Sequence, residues 1–177
     1  MENSKSNFKS HIVDLSAKNI DITIYKESYD LVFSHMVVEH VKDPQIFHRN
    51  CLKIIKTDGI IIHFFATKYS VHTLLNQILP SRLTNWLVFT FQTRKEDLHG
   101  KFKAYYRWCY GPTKKNIQRL NKIGYDIKIY NGYLGHNYLN RNRYLHFLEK
   151  SWNNLLLRIQ SPMMCSNAFF IARKKNL

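Results

Sequence analysis

Residues 29–66 read YDLVFSHMVVEHVKDPQIFHRNCLKIIKTDGIIIHFFA, with two short apolar runs separated by one amphipathic segment. The first run, Tyr29–Ser34, is rich in residues that favour β-strands, and the second, Ile60–Ala66, is almost continuously apolar. Between them, Asp43 and Pro44 form a good helix start, because Asp caps free backbone N–H groups and proline suits the first helical turn. The pattern predicts a strand, a helix and a parallel strand, with the second strand covered on both faces.

The segment between the two runs has the periodicity of a helix that buries one side. Its apolar stripe recurs at helical spacing and consists of Phe47, Cys51, Ile54 and Ile55. The triplet Thr57-Asp58-Gly59 is predicted to end this helix, with Gly59 as a left-handed cap. A strand–helix–strand crossover of this kind places the chain in the α/β class.

The rest of the chain supplies one element before this unit and several after it. No internal repeat or domain boundary interrupts residues 1–177, which therefore form one domain of ordinary size. The predicted elements are a strand at His11–Leu15, a helix at Thr113–Ile123, a strand at Tyr125–Tyr130, a helix at Tyr144–Ile159 and a strand at Asn167–Ala172.

This order of elements resembles the class I S-adenosylmethionine-dependent methyltransferases of the small-molecule type. The resemblance extends over most of the chain and is carried by YDLVFS at 29–34, VEHV at 38–41, DP at 43–44 and IIKTDG at 54–59. It implies S-adenosylmethionine as cofactor and methyl transfer to a small-molecule acceptor. It also implies a sheet of strand order 3-2-1-4-5-7-6, in which residues 29–34 form the fourth strand, and a helical lid insertion at residues 68–107.

One departure from the family pattern concerns the grip on the cofactor. The family begins with a strand and a glycine-rich loop, where glycine lets the backbone approach the ligand closely, but the first glycine here is Gly59. By the resemblance, His11–Leu15 is the third strand, so the first βαβ unit is missing and the fold is a partial Rossmann-like one with a mostly parallel sheet. The fourth strand then has an open edge. Three outcomes follow: the third strand pairs with it directly, a partner chain completes the sheet, or the chain folds poorly.

The resemblance also assigns residues to the cofactor. Asp14 and Leu15 match the positions that contact the adenine amino group, although Asp14 also reads as an ordinary strand-end residue. Ser34 and His35 stand at the carboxyl end of the fourth strand, beside the methionine part of the cofactor. Because the glycine loop is missing, we expect the isolated chain to be inactive.

Glu39 and His40 are the candidate catalytic residues, because a histidine titrates near neutral pH and can remove a proton from an acceptor. In the alternative interpretation, Glu39 positions the helix at Pro44 and His40 packs over the sheet edge. His63, within the second apolar run, is expected to be a core histidine. The nine histidines show no metal-ligand spacing, so no metal is expected.

The charge of the chain is concentrated in its second part. Residues 1–60 hold eight basic and eight acidic side chains, so residues 61–177 carry the whole net charge of +15. This field favours nucleic acid or an anionic membrane surface, and the mixture of cations and aromatic residues at 94–108 suits either partner. A solvated basic face remains an alternative, as does a non-catalytic interaction module whose open sheet edge pairs with another chain.

Composition and cysteine usage favour a cytoplasmic protein. The three cysteines are widely spaced, which indicates a reducing compartment, and the polar N-terminus has no signal peptide. The longest weakly charged stretch, residues 69–93, is too polar to span a membrane. Its apolar residues suit a lid over an acceptor pocket or a helical hairpin packed on the core.

Overall fold

The computed structural model describes residues 10–78, 103–134, 142–159 and 162–175. These residues form a mixed sheet of four strands and four α-helices. The strands are β1 (Tyr29–His35), β2 (Ile55–Ala66), β3 (Tyr125–Tyr133) and β4 (Asn167–Lys174), and the helices are α1 (Pro44–Ile54), α2 (Val71–Ile78), α3 (Lys114–Lys122) and α4 (Arg143–Arg158).

The sheet has the order β1-β2-β4-β3. β1 and β2 are parallel, and β4 runs antiparallel to both of its neighbours, so three of the four strands point the same way. This is the order 4-5-7-6 that the resemblance implies for the second part of the family sheet. The α/β class and the mostly parallel partial sheet are confirmed.

One face of the sheet is covered by helices α1 and α3 and forms the core. Alternate residues of β2 and β4 point into it, among them Ile61, Phe65 and Phe170, and each of these is almost fully buried. Both helices begin at a side-chain cap. The Asp43 carboxylate, predicted as a cap, accepts the N–H of Ile46, and the Thr113 hydroxyl accepts that of Asn116. These caps fix where each helix meets the sheet.

The opposite face of the sheet remains largely open, which corrects the prediction that β2 is covered on both sides. Leu31 and Phe33 of β1 are 55% and 60% exposed, Ile60 is 37% exposed, and Ile62 and Phe64 are only half-buried. A continuous apolar run is typical of a strand buried on both faces. Within the described part of the chain, the helices cover only one of them.

The strand predicted at His11–Leu15 is wrong. Residues 10–14 have no regular structure, and a turn follows in which the Asp14 carboxylate accepts two hydrogen bonds from Ser16. A strand needs a neighbouring edge to satisfy its backbone groups, and β1 pairs only with β2 within the described residues. The direct pairing of this segment with β1, one of the three outcomes considered above, does not occur.

The glycine turn predicted after α1 is also wrong. The helix ends at Ile54, and Ile55 is already extended with φ −76° and ψ 140°. Tyr29 pairs with Ile55 and Leu31 with Ile60, so the extra residues of β2 form a bulge. Gly59 lies in this bulge, where a larger residue would not fit. A Cβ atom at this position would stand 2.5 Å from a side-chain carbon of Ile55.

The predicted lid lies mostly outside the described residues. Helix α2 forms its first part, and residues 79–102 are not described. Residues 103–109 return to the sheet, where the backbone N–H of Lys68 donates to the carbonyl of Cys109 at 2.7 Å.

Candidate active site

The parallel strands β1 and β2 end at the same edge of the sheet, at His35 and Ala66. Open α/β sheets bind ligands outside the carboxyl ends of their strands. A single 3-10 turn, Val38–His40, follows β1 at this edge and packs against β2. The turn places both candidate catalytic residues, Glu39 and His40, at the position where a ligand is expected.

Glu39 is buried, with 2% of its surface exposed, and neither carboxylate oxygen has a hydrogen-bond partner among the described residues. Desolvation raises the pKa of this carboxyl above its usual value of 4.5. Part of this rise in pKa is offset by the backbone N–H groups of Glu39 and Ala66 and by the charges of His40 and His35. Neither of these N–H groups is close enough, or well enough aligned, to form a hydrogen bond with the carboxylate. An unpartnered buried carboxyl is costly, which is typical of a residue retained for function.

A strap formed by residues 103–109 closes over Glu39. The backbone N–H groups of Tyr105 and Tyr106 both donate to the Glu39 carbonyl, at 2.7 and 3.0 Å. His40 is exposed, and its Nδ1 lies 3.1 Å from the carbonyl oxygen of Lys103. The two catalytic candidates therefore differ: Glu39 is enclosed beneath the strap, whereas His40 faces solvent at its margin.

Backbone strain is concentrated around the same edge. Met36, Tyr106 and Trp108 have φ of +55°, +49° and +61°, and they account for three of the four non-glycine residues with positive φ in the described chain. Met36 directly follows β1, and Tyr106 hydrogen-bonds Glu39. Strained backbone of this kind clusters at functional sites. The sequence gives no signal for it, because none of these residues is a type that favours a left-handed conformation.

Ser34 points away from this edge and into the core. Its hydroxyl lies 2.6 Å from Nδ1 of His63, and the neighbouring His48 pairs through Nδ1 with the hydroxyl of Tyr125 at 3.0 Å. Burial lowers the pKa of both histidines, that of His63 to about 3, so both are neutral at pH 7. The Ser34 hydroxyl is thus engaged with a core histidine.

Asp14 and Leu15 lie apart from Glu39 in a turn next to α1. The Asp14 carboxylate is exposed and accepts the hydroxyl and the backbone N–H of Ser16, at 2.7 and 2.9 Å, and these bonds lower its pKa. Leu15 packs against the core, and its carbonyl accepts the amide of Asn50 at 3.0 Å. Both bonds go to Oδ1, so the turn holds one oxygen of the carboxylate expected at the adenine.

His35 lies on the open face of the sheet. Its ring stacks on Phe64 with a centroid distance of 4.9 Å and an angle of 9° between the planes. The two rings border a shallow depression of about 400 Å³, whose other lining residues are Phe33, Ile62, Tyr133 and Phe169. This depression is apolar, and its lining crosses the open face of the sheet from β1 to β3.

A second depression, of about 570 Å³, lies at the opposite end of the sheet and is polar. Two of its cations are already paired, Lys128 with Asp126 and Lys174 with Glu27, at 2.6 Å each. In the part of the chain that the structure describes, no group of three histidine, cysteine, aspartate or glutamate side chains is placed to hold a metal ion. Glu39 and its strap are therefore the best-supported catalytic candidate.

Comparisons with known proteins identify the fold. Residues 1–63 match the family model of the methyltransferase domain. Among solved structures, the methyltransferase complex with the Trm112 activator from Haloferax volcanii aligns with a TM-score of 0.53 and 11% identity, over 93% of this chain and 60% of that one. A protein from Listeria monocytogenes assigned as an S-adenosylmethionine-dependent methyltransferase aligns with a TM-score of 0.50 and 16% identity, over 88% and 66% of the two chains.

The described sheet has part of the class I methyltransferase fold. The resemblance stated from the sequence is confirmed by these matches. The phosphoethanolamine N-methyltransferase 2 of Haemonchus contortus, solved with S-adenosyl-L-methionine, also matches, with a TM-score of 0.44 and 15% identity over 85% of this chain. A comparison with curated proteins finds no match.

The methyltransferase fold is only partly covered by this chain. The chain spans 34%, 60% and 66% of the Haemonchus, Haloferax and Listeria chains, less than two thirds of each.

No described helix is long and apolar enough to cross a membrane.

Two of the three polar side chains that the resemblance assigns to S-adenosylmethionine have partners within the chain. The Asp14 carboxylate accepts a hydrogen bond from Ser16, and the Ser34 hydroxyl bonds His63, whereas His35 is exposed on the open face. Gly59, the first glycine of the chain, lies in the β2 bulge, at the end of the strand remote from Glu39. What remains at the carboxyl edge is the enclosed Glu39 carboxyl, the strained strap and the open apolar face.

Proposed function

We propose that this chain forms part of an S-adenosylmethionine-dependent methyltransferase that acts on a small-molecule acceptor. We further propose that residues 10–175 alone neither bind the cofactor tightly nor turn it over. The cofactor-holding strand, glycine-rich loop and helix come from a segment outside these residues, on the same polypeptide or on another. The partial methyltransferase fold and the family match at residues 1–63 support the reaction class.

The observation that carries the proposal is the open face of the sheet. The apolar run Ile60–Phe64 of β2 requires burial on both sides, yet only the α1 side is covered within the described residues. The outer edge of β1 pairs with no strand in the same part of the chain, and exposed edges are normally covered. A unit consisting of a strand and a helix would satisfy both requirements, since its strand extends the sheet beyond β1 and its helix covers the apolar face.

Glu39 is proposed as the proton acceptor of this site. Its raised pKa brings the carboxyl closer to the pH range in which a base works efficiently, and the strap excludes water from it. An acceptor hydroxyl or amine placed at the carboxyl edge would lose its proton to a Glu39 carboxylate oxygen. His40, exposed at the margin, would bind and orient the acceptor or pass the proton to solvent.

A chimera tests the proposed completion. A strand, glycine-rich loop and helix from a class I methyltransferase are joined ahead of Tyr29, and S-adenosylmethionine is titrated into the folded product by calorimetry. We expect affinity in the micromolar range for the chimera and no saturable binding for the natural chain. A matched chimera whose loop glycines are replaced by alanine should lose the affinity, because the backbone can no longer approach the ligand.

Two results would contradict the proposal. The natural chain, folded and alone, could turn over radiolabelled cofactor, in which case no further segment is needed. Alternatively, a cooperatively folded chimera could fail to bind the cofactor, which would favour a non-catalytic module that uses the open edge for assembly.

The role of Glu39 has a separate test that needs no acceptor. The Glu39→Gln variant keeps the shape of the side chain but removes a buried carboxylate that has no partner, so it should stabilise the protein at pH 7 by about 1 kcal/mol. Most substitutions of buried residues destabilise. Urea unfolding of the variant and of a Gln45→Glu surface control measures the effect, and a loss of stability in Glu39→Gln would mean that Glu39 serves the fold.

A further inference from the structure

Helix α4 carries an apolar arc that faces solvent. At 3.6 residues per turn, this arc covers about 80° of the helix circumference. It consists of Tyr144, Leu148, Leu155, Trp152 and, just beyond the end of the helix, Ile159. Their exposed fractions are 82%, 62%, 47%, 38% and 59%. The neighbouring Leu156 is 2% exposed, so it packs against the body of the protein. A contiguous apolar surface of this kind marks an interaction site.

The rest of the α4 circumference is positively charged, and it also holds two exposed apolar side chains, Phe147 and Leu157. Arg143, Lys150 and Arg158 lie outside the apolar arc, and Glu149 is the only acidic residue of the helix. The helix therefore has a formal charge of +2 within a region that carries the whole +15 of the chain. Leucine and tryptophan on one side with lysine and arginine on the other is the pattern of helices that lie in a lipid–water interface.

We propose that α4 docks this protein on an anionic lipid bilayer. The apolar arc lies at the boundary between head groups and acyl chains, and the three cations reach the phosphate groups of acidic lipids with their long side chains. This inference does not rest on the proposed methyltransferase function.

The charge and the arc together favour lipid over other occupants. A second copy of the chain would bring another net charge of +15 to the interface, which repels at moderate salt. A nucleic acid would satisfy the cations but would leave Leu148, Leu155 and Ile159 in water. An anionic bilayer satisfies both features at once.

Vesicle sedimentation with the full chain tests the proposal. The vesicles are phosphatidylcholine alone or phosphatidylcholine with about one quarter phosphatidylserine, in about 0.1 M salt. We expect binding to the anionic vesicles only. The Leu148→Gln/Leu155→Gln double variant should bind at least about tenfold more weakly, because both side chains leave the acyl boundary. The matched control Leu157→Gln changes an equally exposed leucine outside the arc, and it should change the affinity less than about twofold.

The cations and Trp152 give independent readouts. Replacing Arg143, Lys150 and Arg158 by glutamine should weaken binding by up to about fivefold per residue and reduce the preference for phosphatidylserine. Tryptophan emission of the natural chain should shift to shorter wavelength on vesicle addition, and this shift should be absent in Trp152→Phe. The emission measurement keeps the test valid if the double leucine variant does not fold.

Several results would overturn the proposal. The first is that the natural chain does not sediment with anionic vesicles. The second is that Leu157→Gln loses as much vesicle binding as the Leu148→Gln/Leu155→Gln protein, here called the arc variant. The third is that the Trp152→Phe protein retains the whole emission shift. Preferential binding of a single-stranded oligonucleotide that displaces the vesicles and is unaffected by the arc variant would assign the charge to nucleic acid. A salt-stable dimer that the arc variant dissociates would assign the arc to a second copy.

Discussion

Lowering the pH should destabilise this protein through the two buried histidines, His48 and His63. Burial lowers the pKa of both below the value of 6.5 for a histidine in water, that of His63 to about 3. At pH 5 the unfolded chain protonates both imidazoles, whereas the folded chain keeps them neutral. Because the unfolded state then binds more protons, the free energy of unfolding decreases as the pH falls from 6.5 toward 3.

The size of the effect follows from the number of protons. Each histidine that stays neutral in the folded state lowers the free energy of unfolding by about 1.4 kcal/mol per pH unit below 6.5, so the pair contributes about 2.7. Glu39 acts in the opposite direction, since its raised pKa lets the folded state bind a proton first as the pH falls toward 4.5. The net slope should therefore lie between about 1.4 and about 2.7 kcal/mol per pH unit.

Urea unfolding at a series of pH values from about 7 to about 4.5 measures this slope. The matched variant is Ser34→Ala/His63→Leu, which replaces both partners of one buried hydrogen bond by apolar groups and should be nearly neutral at pH 7. Its slope should be smaller by about 1.4 kcal/mol per pH unit, because only His48 remains. A free energy of unfolding that is flat below pH 6.5, or an unchanged slope in the double variant, would refute this assignment.

Three further predictions concern the helix cap, a close backbone contact and the thiols. Asp43→Ala removes the acceptor for the Ile46 N–H and should lower stability by about 1 kcal/mol and Tm by about 2–4 °C, seen in a thermal melt against Lys42→Ala as control. Gly111→Ala places a Cβ atom 1.7 Å from the carbonyl oxygen of Pro162, so it should cost about 3 kcal/mol; a normal melt would show that this contact adjusts freely. The three cysteines are buried and free, and burial raises their pKa, so a thiol reagent should label them only in urea; rapid labelling of the folded chain would contradict this.

The sheet could be predicted from the sequence because its strands and helices carry local signals. The apolar runs of β1 and β2 and the Asp43 cap specify their elements without reference to the rest of the chain. Their order was also sufficient to predict the arrangement β1-β2-β4-β3 through the family resemblance. Local chemistry and fold agree over this region.

The errors concern features that depend on a neighbouring surface. His11–Leu15 has β-forming residues but no adjacent edge within the described chain, so it forms a turn instead. The Thr57-Asp58-Gly59 triplet has turn chemistry, yet the pairing of Tyr29 with Ile55 draws it into a strand bulge. In both cases, the strand pairing available to the segment overrides the local preference.

The candidate site could be predicted in part. The Glu-His pair after an apolar strand led to Glu39 and His40, and the structure places them at the carboxyl edge. The strap that encloses Glu39 comes from residues 103–109, more than sixty positions away, and no local pattern indicates that contact. Ser34 was predicted to face a cofactor, but strand alternation and the partner His63 turn it into the core.

Calorimetric titration of S-adenosylmethionine into the folded natural chain tests the central claim most directly. A cooperative melt is confirmed first, so that the absence of heat cannot arise from an unfolded sample. The account predicts no saturable binding, since the Ser34 hydroxyl is engaged with His63 and no glycine-rich loop lies among the described residues. Micromolar binding by the chain alone would contradict it and would mean that these residues rebuild a complete cofactor site.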